Sequence, residues 1–163
     1  MYVNPESLED SGPFSDRLDS CFGGHLNKEF LHFICGPRLG HGISREVFAC
    51  RIREDCVVKF EPEHGHFANV QEAIAWNLVA DDPEVSRWLA PVVAISACGR
   101  ILLQKRTTKA HPSQYPDRIP SFLTDQKYEN FGMYKGRLVS HDYALNRMAS
   151  LGVTNRTMKA HWT

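Results

Sequence analysis

The residues that first suggest chemistry are two glycines, a lysine and a glutamate in the first half of the chain. Gly40 and Gly42 lie between two predicted strands, Lys59 lies on a third strand, and Glu72 lies on the helix that follows. A strand lysine can reach phosphates held under a glycine loop, and a helix glutamate can hold that lysine by an ion pair. Singly, each residue has a simpler explanation, since hairpin turns often use glycine and strand lysines are often solvated.

A second group of polar residues, late in the chain, supports the phosphate-binding interpretation. Residues 125–130 read Asp-Gln-Lys-Tyr-Glu-Asn, and an Asp-Tyr-Ala tripeptide begins at Asp142, at the end of a predicted strand. With these motifs the chain resembles the protein-kinase superfamily. Residues 125–130 match the D-L-K-P-E-N form of the kinase catalytic loop at four of six positions, and the tripeptide is similar to the D-F-G element. The resemblance spans roughly residues 33–144.

The resemblance implies ATP as a cofactor and a role for each residue of the phosphate site. The loop of residues 40–47 would cover the triphosphate, and Lys59, held by Glu72, would neutralise the α and β phosphates. Asp125 would orient or deprotonate the acceptor hydroxyl, and Lys127 would lie beside the γ phosphate.

The resemblance also implies Mg²⁺ and an adenine pocket. Asn130 and Asp142 would supply the oxygen ligands that magnesium favours. Adenine would lie between apolar side chains of the sheet, next to a hinge over residues 105–107. The residues so implied are Leu39, Val47, Val57, one residue of 101–103 taken as Leu103, and Lys105 at the start of the hinge.

The chain departs from the kinase pattern at several positions. Arg45 stands in place of the third loop glycine, and Ala144 in place of the last residue of D-F-G. Val57 stands where kinases commonly have alanine, and its extra methyl groups would crowd the adenine pocket. The connection from Lys59 to Glu72 is only 13 residues long.

The resemblance implies an α+β fold, and the spacing of the motifs predicts that its second lobe is much reduced. About twenty residues separate the hinge from Asp125, too few for the two long helices that normally anchor the helical lobe of a kinase. We expect an acidic extension over residues 1–30 and one miniature kinase-like domain over residues 31–163. Within it, residues 31–107 would correspond to the N-terminal lobe and residues 108–163 to the reduced C-terminal lobe.

Apolar patterning predicts three strands, a helix and two more strands, followed by a smaller C-terminal part. The resemblance implies that the five strands form one antiparallel sheet with the helix as its one long helix. A linker or surface loop over 105–121 follows the last strand of the sheet, and a helical stretch runs from residue 142 to the end. The other predicted elements are strands at 33–39, 46–52, 55–60, 91–96, 100–104, 131–134 and 137–141, with the helix at 67–80 and an apolar stripe on it at Phe67, Val70, Ile74 and Leu78.

Composition limits the classes of protein to consider. The 163 residues are 42% hydrophobic and 23% charged, which is typical of a globular domain. Nineteen basic and nineteen acidic residues give no net charge, so a dedicated nucleic-acid binder is not expected. No apolar stretch is long enough to span a membrane.

Cysteine and histidine usage favours a cytoplasmic protein without a structural metal. The five cysteines include no C-x-x-C pair, which favours reduced thiols over a disulfide framework or a zinc ribbon. His64 and His66 have no second pair at metal-ligand spacing, and His141 is interpreted as a strand histidine bonded to backbone.

The sequence is compatible with two functions. The first is a kinase-like protein that binds ATP and Mg²⁺ and transfers the γ phosphate to Ser, Thr or another hydroxyl. The second is a pseudokinase-type binding module that docks on and regulates another protein without catalysis. A protein partner or substrate is expected in either case, and a second copy of the chain is one candidate for covering exposed apolar surface.

Overall fold

Five antiparallel strands form the main sheet of the computed structural model, which describes residues 32–61 and 66–163, except for the side chain of residue 149. The predicted acidic extension over residues 1–30 and the predicted loop residue His64 lie outside the described residues. In space the strands follow the order β1-β2-β3-β5-β4. They are β1 (Cys35–His41), β2 (Glu46–Cys50), β3 (Cys56–Phe60), β4 (Val92–Ile95) and β5 (Ile101–Lys105).

The two faces of this sheet differ in character because side chains alternate along each strand. Strand β3 is central and buried along its whole length. Its Val58 lies opposite Phe48 and Leu103, on the face that holds an apolar core, whereas Lys59 lies opposite Val47 and Leu102 on the other face. Lys59, the only cation on β3, therefore lies on the side of the sheet on which the helix packs.

Helix α1 (Ala68–Val79) packs on that second face with its polar and small residues inward. The apolar stripe predicted for this helix is largely exposed instead: Phe67, Ile74 and Leu78 are 55%, 50% and 57% accessible. The inward face of α1 includes Asn69 and Glu72, both completely buried. The hydrogen bonds and ion pairs of these two polar groups contribute more to stability than burial of the larger apolar side chains would. An unpaired buried carboxylate would cost several kcal/mol.

The C-terminal part contains short elements rather than long helices. After α2 (Pro83–Ser86) and the main sheet come β6 (Arg118–Pro120), the hairpin of β7 (Phe131–Tyr134) and β8 (Arg137–Ser140), α3 (Met148–Leu151) and β9 (Thr157–Lys159). Lys135 and Gly136 both have positive φ, as a tight hairpin turn requires. None of the helices in the described residues is both long and apolar enough to cross a membrane.

Two sequence predictions for this part are wrong. The final helical stretch from residue 142 onward contains only the four-residue α3, and the linker over 105–121 contains a strand. Strand β6 pairs antiparallel with β9, and Arg118 Nε donates to Thr157 Oγ1 at 3.0 Å. Gly152, at φ 72°, ends α3, so the chain continues extended into β9. The pairing joins segments almost forty positions apart, which local patterning does not detect.

A second apolar core joins α1 and α2 to the C-terminal part. Val79, Leu89, Ile119 and Phe122 are among its completely or nearly completely buried members. Trp162, near the chain end, packs against this core, and its indole Nε1 donates to the Pro116 carbonyl at 2.9 Å. Its ring lies edge-on to those of Tyr115 and Phe131, at centroid distances of 5.0 and 4.9 Å, and is stacked with that of Tyr128 at 6.1 Å.

This aromatic cluster predicts that Trp162→Ala lowers the free energy of unfolding by about 2 kcal/mol, less than for a fully buried tryptophan because Trp162 is only partly buried. Urea denaturation followed by circular dichroism would measure the loss. Ile43→Ala is the matched control, since Ile43 is fully exposed at the tip of a loop, and it should change stability by less than about 0.5 kcal/mol. Equal stability of the two variants would contradict the packing of residue 162 on this core.

Candidate functional site

The carboxylate of Glu72 is the centre of the candidate site. Lys59 Nζ lies 2.7 Å from Glu72 Oε2, and the side chains of both residues are buried. Lys59 Nζ also donates to the carbonyl of His141, and the backbone N–H of Tyr143 donates to Glu72 Oε1 at 3.1 Å. The ion pair expected from the sequence is therefore present, and it connects β3, α1 and the Asp-Tyr-Ala segment that begins at Asp142.

Arg45 is the residue that sequence reasoning missed. Its side chain is only 6% exposed and reaches into the site from the end of the glycine loop. Nη2 lies 2.7 Å from Glu72 Oε1 and 2.6 Å from Asp142 Oδ1, and Nη1 donates to Asn69 Oδ1 at 3.3 Å. In the sequence the only signal was an arginine in place of a loop glycine, which gave no indication of its partners.

Two polar side chains fix the position of α1 and thereby of Glu72. The Glu61 carboxylate accepts from the backbone N–H groups of Ala68 and Asn69, at 3.2 and 3.0 Å, and so caps the start of the helix. The amide of Asn69 donates to the carbonyls of Lys59 and Arg100, at 3.3 and 2.9 Å. The helix is thus tied to the sheet by hydrogen bonds on its buried face.

The charges in this cluster shift one another's pKa values. Burial alone would raise the pKa of Glu72, but Lys59 and Arg45 outweigh it and lower that pKa from 4.5 to about 2. Ionised Glu72 therefore contributes stability above about pH 4.5 that is lost as the pH falls toward 2. Burial, followed by the charge of Arg45, lowers the pKa of Lys59 from 10.5 to about 8.

The predicted catalytic-loop residues lie close to one another. Lys127 Nζ is 3.4 Å from Asp125 Oδ2, and the amide of Asn130 donates to the Asp125 carbonyl at 3.5 Å. The Asn130 carbonyl accepts from the N–H groups of His141 and Asp142, at 2.9 and 3.3 Å. The catalytic-loop segment and the Asp142 segment are therefore held side by side through the backbone of one residue.

His141 connects the predicted hinge to both of these segments. One ring nitrogen, Nδ1, is 2.8 Å from the Thr107 hydroxyl, and the other, Nε2, is 2.8 Å from the Glu129 carbonyl. Burial, followed by the charge of Lys59, lowers the pKa of His141. The contact with a backbone carbonyl agrees with the sequence interpretation, although His141 follows β8 rather than lying within it. Within the described residues no three His, Cys, Asp or Glu side chains are grouped closely enough to hold a metal.

The glycine loop lies at the turn between β1 and β2. Gly40 is opposite Val47, and the N–H of Gly42 donates to the Arg45 carbonyl at 2.8 Å. A Cβ on Gly40 would meet nothing within 4 Å. The loop thus has open space at Gly40, as close approach of a ligand to the backbone requires.

Of the residues predicted to line an adenine pocket, some share the sheet face of Lys59, whereas Leu103 does not. Val47 and Val57 lie on the same sheet face as Lys59, whereas Leu39 is half-exposed on β1. Leu103 lies opposite Val58, on the other face. Within residues 101–103 the side chain on the Lys59 face is that of Leu102, because successive strand residues point to opposite faces. The Ile-Leu-Leu run has no alternation from which the sequence could choose between them.

Lys105 also points away from the cluster. Its ammonium forms an ion pair with Asp55, which directly precedes β3. The backbone of the predicted hinge is itself bonded, since Lys105 N donates to the Pro91 carbonyl and Arg106 N to the Asp55 carbonyl. Both the ammonium and the backbone N–H of Lys105 therefore have partners within the protein.

Asp142, one of the two predicted magnesium ligands, does not fit a magnesium ion in this arrangement. Oδ1 of Asp142 is taken by the guanidinium of Arg45 at 2.6 Å. A divalent cation on Asp142 would lie next to a charged guanidinium, and magnesium needs several oxygen ligands in near-octahedral geometry.

Comparisons with known proteins give little further information. No protein-family model and no curated protein matches the sequence. Among solved structures, the chain is similar to the streptomycin-ATP-APH(2")-IIa ternary complex, at 16% sequence identity and a TM-score of 0.37. The match covers 67% of this chain and 31% of the chain in that complex, so this chain spans less than half the length of the matched chain. A structural overlap this weak does not assign a fold or a function.

The geometry of the cluster predicts that Glu72→Gln lowers the free energy of unfolding by about 3 kcal/mol, because two buried cations lose their shared carboxylate. Chemical denaturation at neutral pH would measure the change. Glu84→Gln is the matched control: its carboxylate is exposed and 3.8 Å from Arg87, so the loss should stay below about 0.5 kcal/mol. A Glu72→Gln protein as stable as this control would contradict the central role of the carboxylate.

Proposed function

We propose that this chain is a kinase-like protein that binds ATP and transfers its γ phosphate to a hydroxyl group. The observation that carries the proposal is the buried pair of Lys59 and Glu72, held against the carbonyl of His141. A lysine at this depth costs several kcal/mol in desolvation unless it is paired. Its position beside the open glycine loop supports a role in binding an anion.

The proposed phosphate site lies between the loop of residues 40–47 and Lys59. A polyphosphate there would meet the backbone of the loop and the ammonium of Lys59, with Val47 and Val57 on the same sheet face for the base. Opposite charges in a partly desolvated cleft attract more strongly than in water, which favours a phosphate-rich ligand.

Asp125 is the proposed catalytic residue. Its side chain is 30% exposed, so an acceptor hydroxyl can reach it, and Lys127 lies beside it. In the proposed step the hydroxyl oxygen bonds to the γ phosphorus while the bond from that phosphorus to the β–γ bridging oxygen breaks. The hydroxyl proton passes to Asp125, and ADP leaves.

Substrate recognition is proposed to involve a protein partner or a protein substrate. The C-terminal part, residues 108–163, carries short elements and leaves Tyr128, Leu145 and Leu151 exposed. Exposed apolar side chains near the catalytic-loop segment support contact with another protein, with a second copy of the chain as one candidate. The division at residue 107 into an N-terminal and a C-terminal lobe belongs to the same proposal.

Asp125→Asn is expected to lower phosphate transfer by at least about a hundredfold, because the proton acceptor is lost. Transfer of labelled γ phosphate would be measured to the protein itself, to a mixed Ser/Thr peptide and to water. ATP binding should be retained, since Asp125 is not in the proposed phosphate site. Asp117→Asn, in another C-terminal loop, is the control and should keep full transfer. Equal transfer by Asp125→Asn and wild type would reject Asp125 as the catalytic carboxylate.

ATP binding is expected to weaken as the pH rises through about 8, because Lys59, with its pKa lowered to about 8, loses its charge there. Calorimetric titration from about pH 7 to about pH 9 would detect this change. In Lys59→Arg the guanidinium stays charged, so affinity should vary much less over the same range. A pH dependence identical in the two proteins would contradict the role of Lys59.

A pseudokinase-type binding module is the second candidate, and the contact between Arg45 and Asp142 favours it. That contact places a guanidinium on one oxygen of the carboxylate that would otherwise hold a metal, and the exposed side chains of Ile74 and Leu78 on α1 offer an apolar surface to a partner. ATP binding without transfer to any acceptor in the assay above would favour this candidate over the enzyme.

A further inference from the structure

The contact between Arg45 and two carboxylates is the feature that neither the kinase pattern nor the proposed function explains. Arg45 bridges Glu72 on α1 and Asp142 in the C-terminal part, at 2.7 and 2.6 Å, while it is almost completely buried. We propose that the guanidinium of Arg45 takes the place of a divalent cation, so that the chain binds the phosphates of ATP without metal. This inference rests on the proposed ATP site.

The position of Arg45 is fixed by contacts on two sides. Nη1 donates to Asn69, whose own amide is held by two backbone carbonyls of the sheet. Nη2 is shared between the carboxylates of Glu72 and Asp142. A buried guanidinium with a fully buried carboxylate partner is not free to leave the site, because an unpaired charge at this depth costs several kcal/mol.

This position keeps a divalent cation away from Asp142. An ion on that carboxylate would lie within a few ångströms of a permanent positive charge, and the carboxylate oxygen facing the site is already bonded. Arg45 takes over one role that magnesium has with a nucleotide, which is to bring positive charge to the phosphates. Its planar donors suit phosphate oxygens better than the point charge of an ammonium does.

Asp142 is the partner that a phosphate would displace. The Glu72 carboxylate is fully buried, whereas the side chain of Asp142 is 47% exposed and can turn toward solvent. When a polyphosphate enters beside Lys59, its oxygens can take the place of Asp142 on Nη2 while Arg45 keeps its bond to Glu72. Asp142 and ATP then compete for the same donor, as two anions on one cation.

The test is calorimetric titration of the full chain with ATP, once in EDTA and once in excess Mg²⁺. The wild-type protein should bind ATP in EDTA at least as tightly as in Mg²⁺. Arg45→Gln should raise the Kd in EDTA by about tenfold or more, and Arg45→Lys should restore part of the affinity. Arg38→Gln is the matched control: Arg38 is on the same hairpin, is half-exposed and pairs only loosely with Glu46, at 3.6 Å, so its Kd should equal that of wild type.

Asp142→Asn keeps the test decisive if Arg45→Gln does not fold, because it leaves the buried pair of Arg45 and Glu72 intact. Loss of the competing carboxylate should lower the Kd for ATP in EDTA by about tenfold. If Asp142 were a metal ligand, the same variant would instead lose binding in Mg²⁺.

The outcomes separate this inference from the proposed function. Binding of ATP only in Mg²⁺, or unchanged binding by Arg45→Gln in EDTA, overturns the inference and leaves the proposed ATP site standing. Absence of ATP binding in both buffers overturns the ATP site and the inference together. Binding in EDTA that depends on Arg45 and strengthens in Asp142→Asn supports both.

Discussion

The fully buried carboxylate of Glu72 is the constraint on which the rest of the structure depends. A carboxylate removed from water must be paired and hydrogen-bonded, or it would protonate or destabilise the fold. Glu72 meets this need with donors from three parts of the chain: Lys59 on β3, Arg45 at the end of the glycine loop and the backbone of Tyr143. The side-chain amide of Gln104 on β5 adds a longer contact at 3.4 Å.

This requirement explains the unusual orientation of α1. The helix turns Asn69 and Glu72 toward the sheet and leaves Ile74 and Leu78 in solvent. Burial of two leucine-sized side chains would contribute about 3 to 6 kcal/mol, which is comparable to the cost of leaving one charge of the cluster unpaired. The ion-pair network therefore decides which face of the helix is inward, and in doing so it builds the candidate site.

Much of the sheet and part of the site could be predicted from local sequence. Strand periodicity and turn residues locate the five strands to within a few positions. The resemblance to kinases was enough to expect the ion pair of Lys59 and Glu72, although the 13-residue connection between them is a departure from the kinase pattern. Leu103 was assigned to the wrong face because a run of three apolar residues has no alternation. Strand β9 was predicted as helix because its pairing partner, β6, is distant in sequence.

The sequence by itself determined which chemical groups are present: a glycine loop, a strand lysine, a helix glutamate and the polar residues Asp125, Asn130 and Asp142. Only the tertiary structure decided which of them meet. Arg45 and Asp142 are 97 positions apart, and their contact exists because the loop, α1 and the C-terminal part converge on one buried carboxylate. Local propensity and spacing describe neighbours along the chain. A buried charge needs a partner because desolvation makes an unpaired charge costly, and that partner can come from any part of the chain that folding brings close.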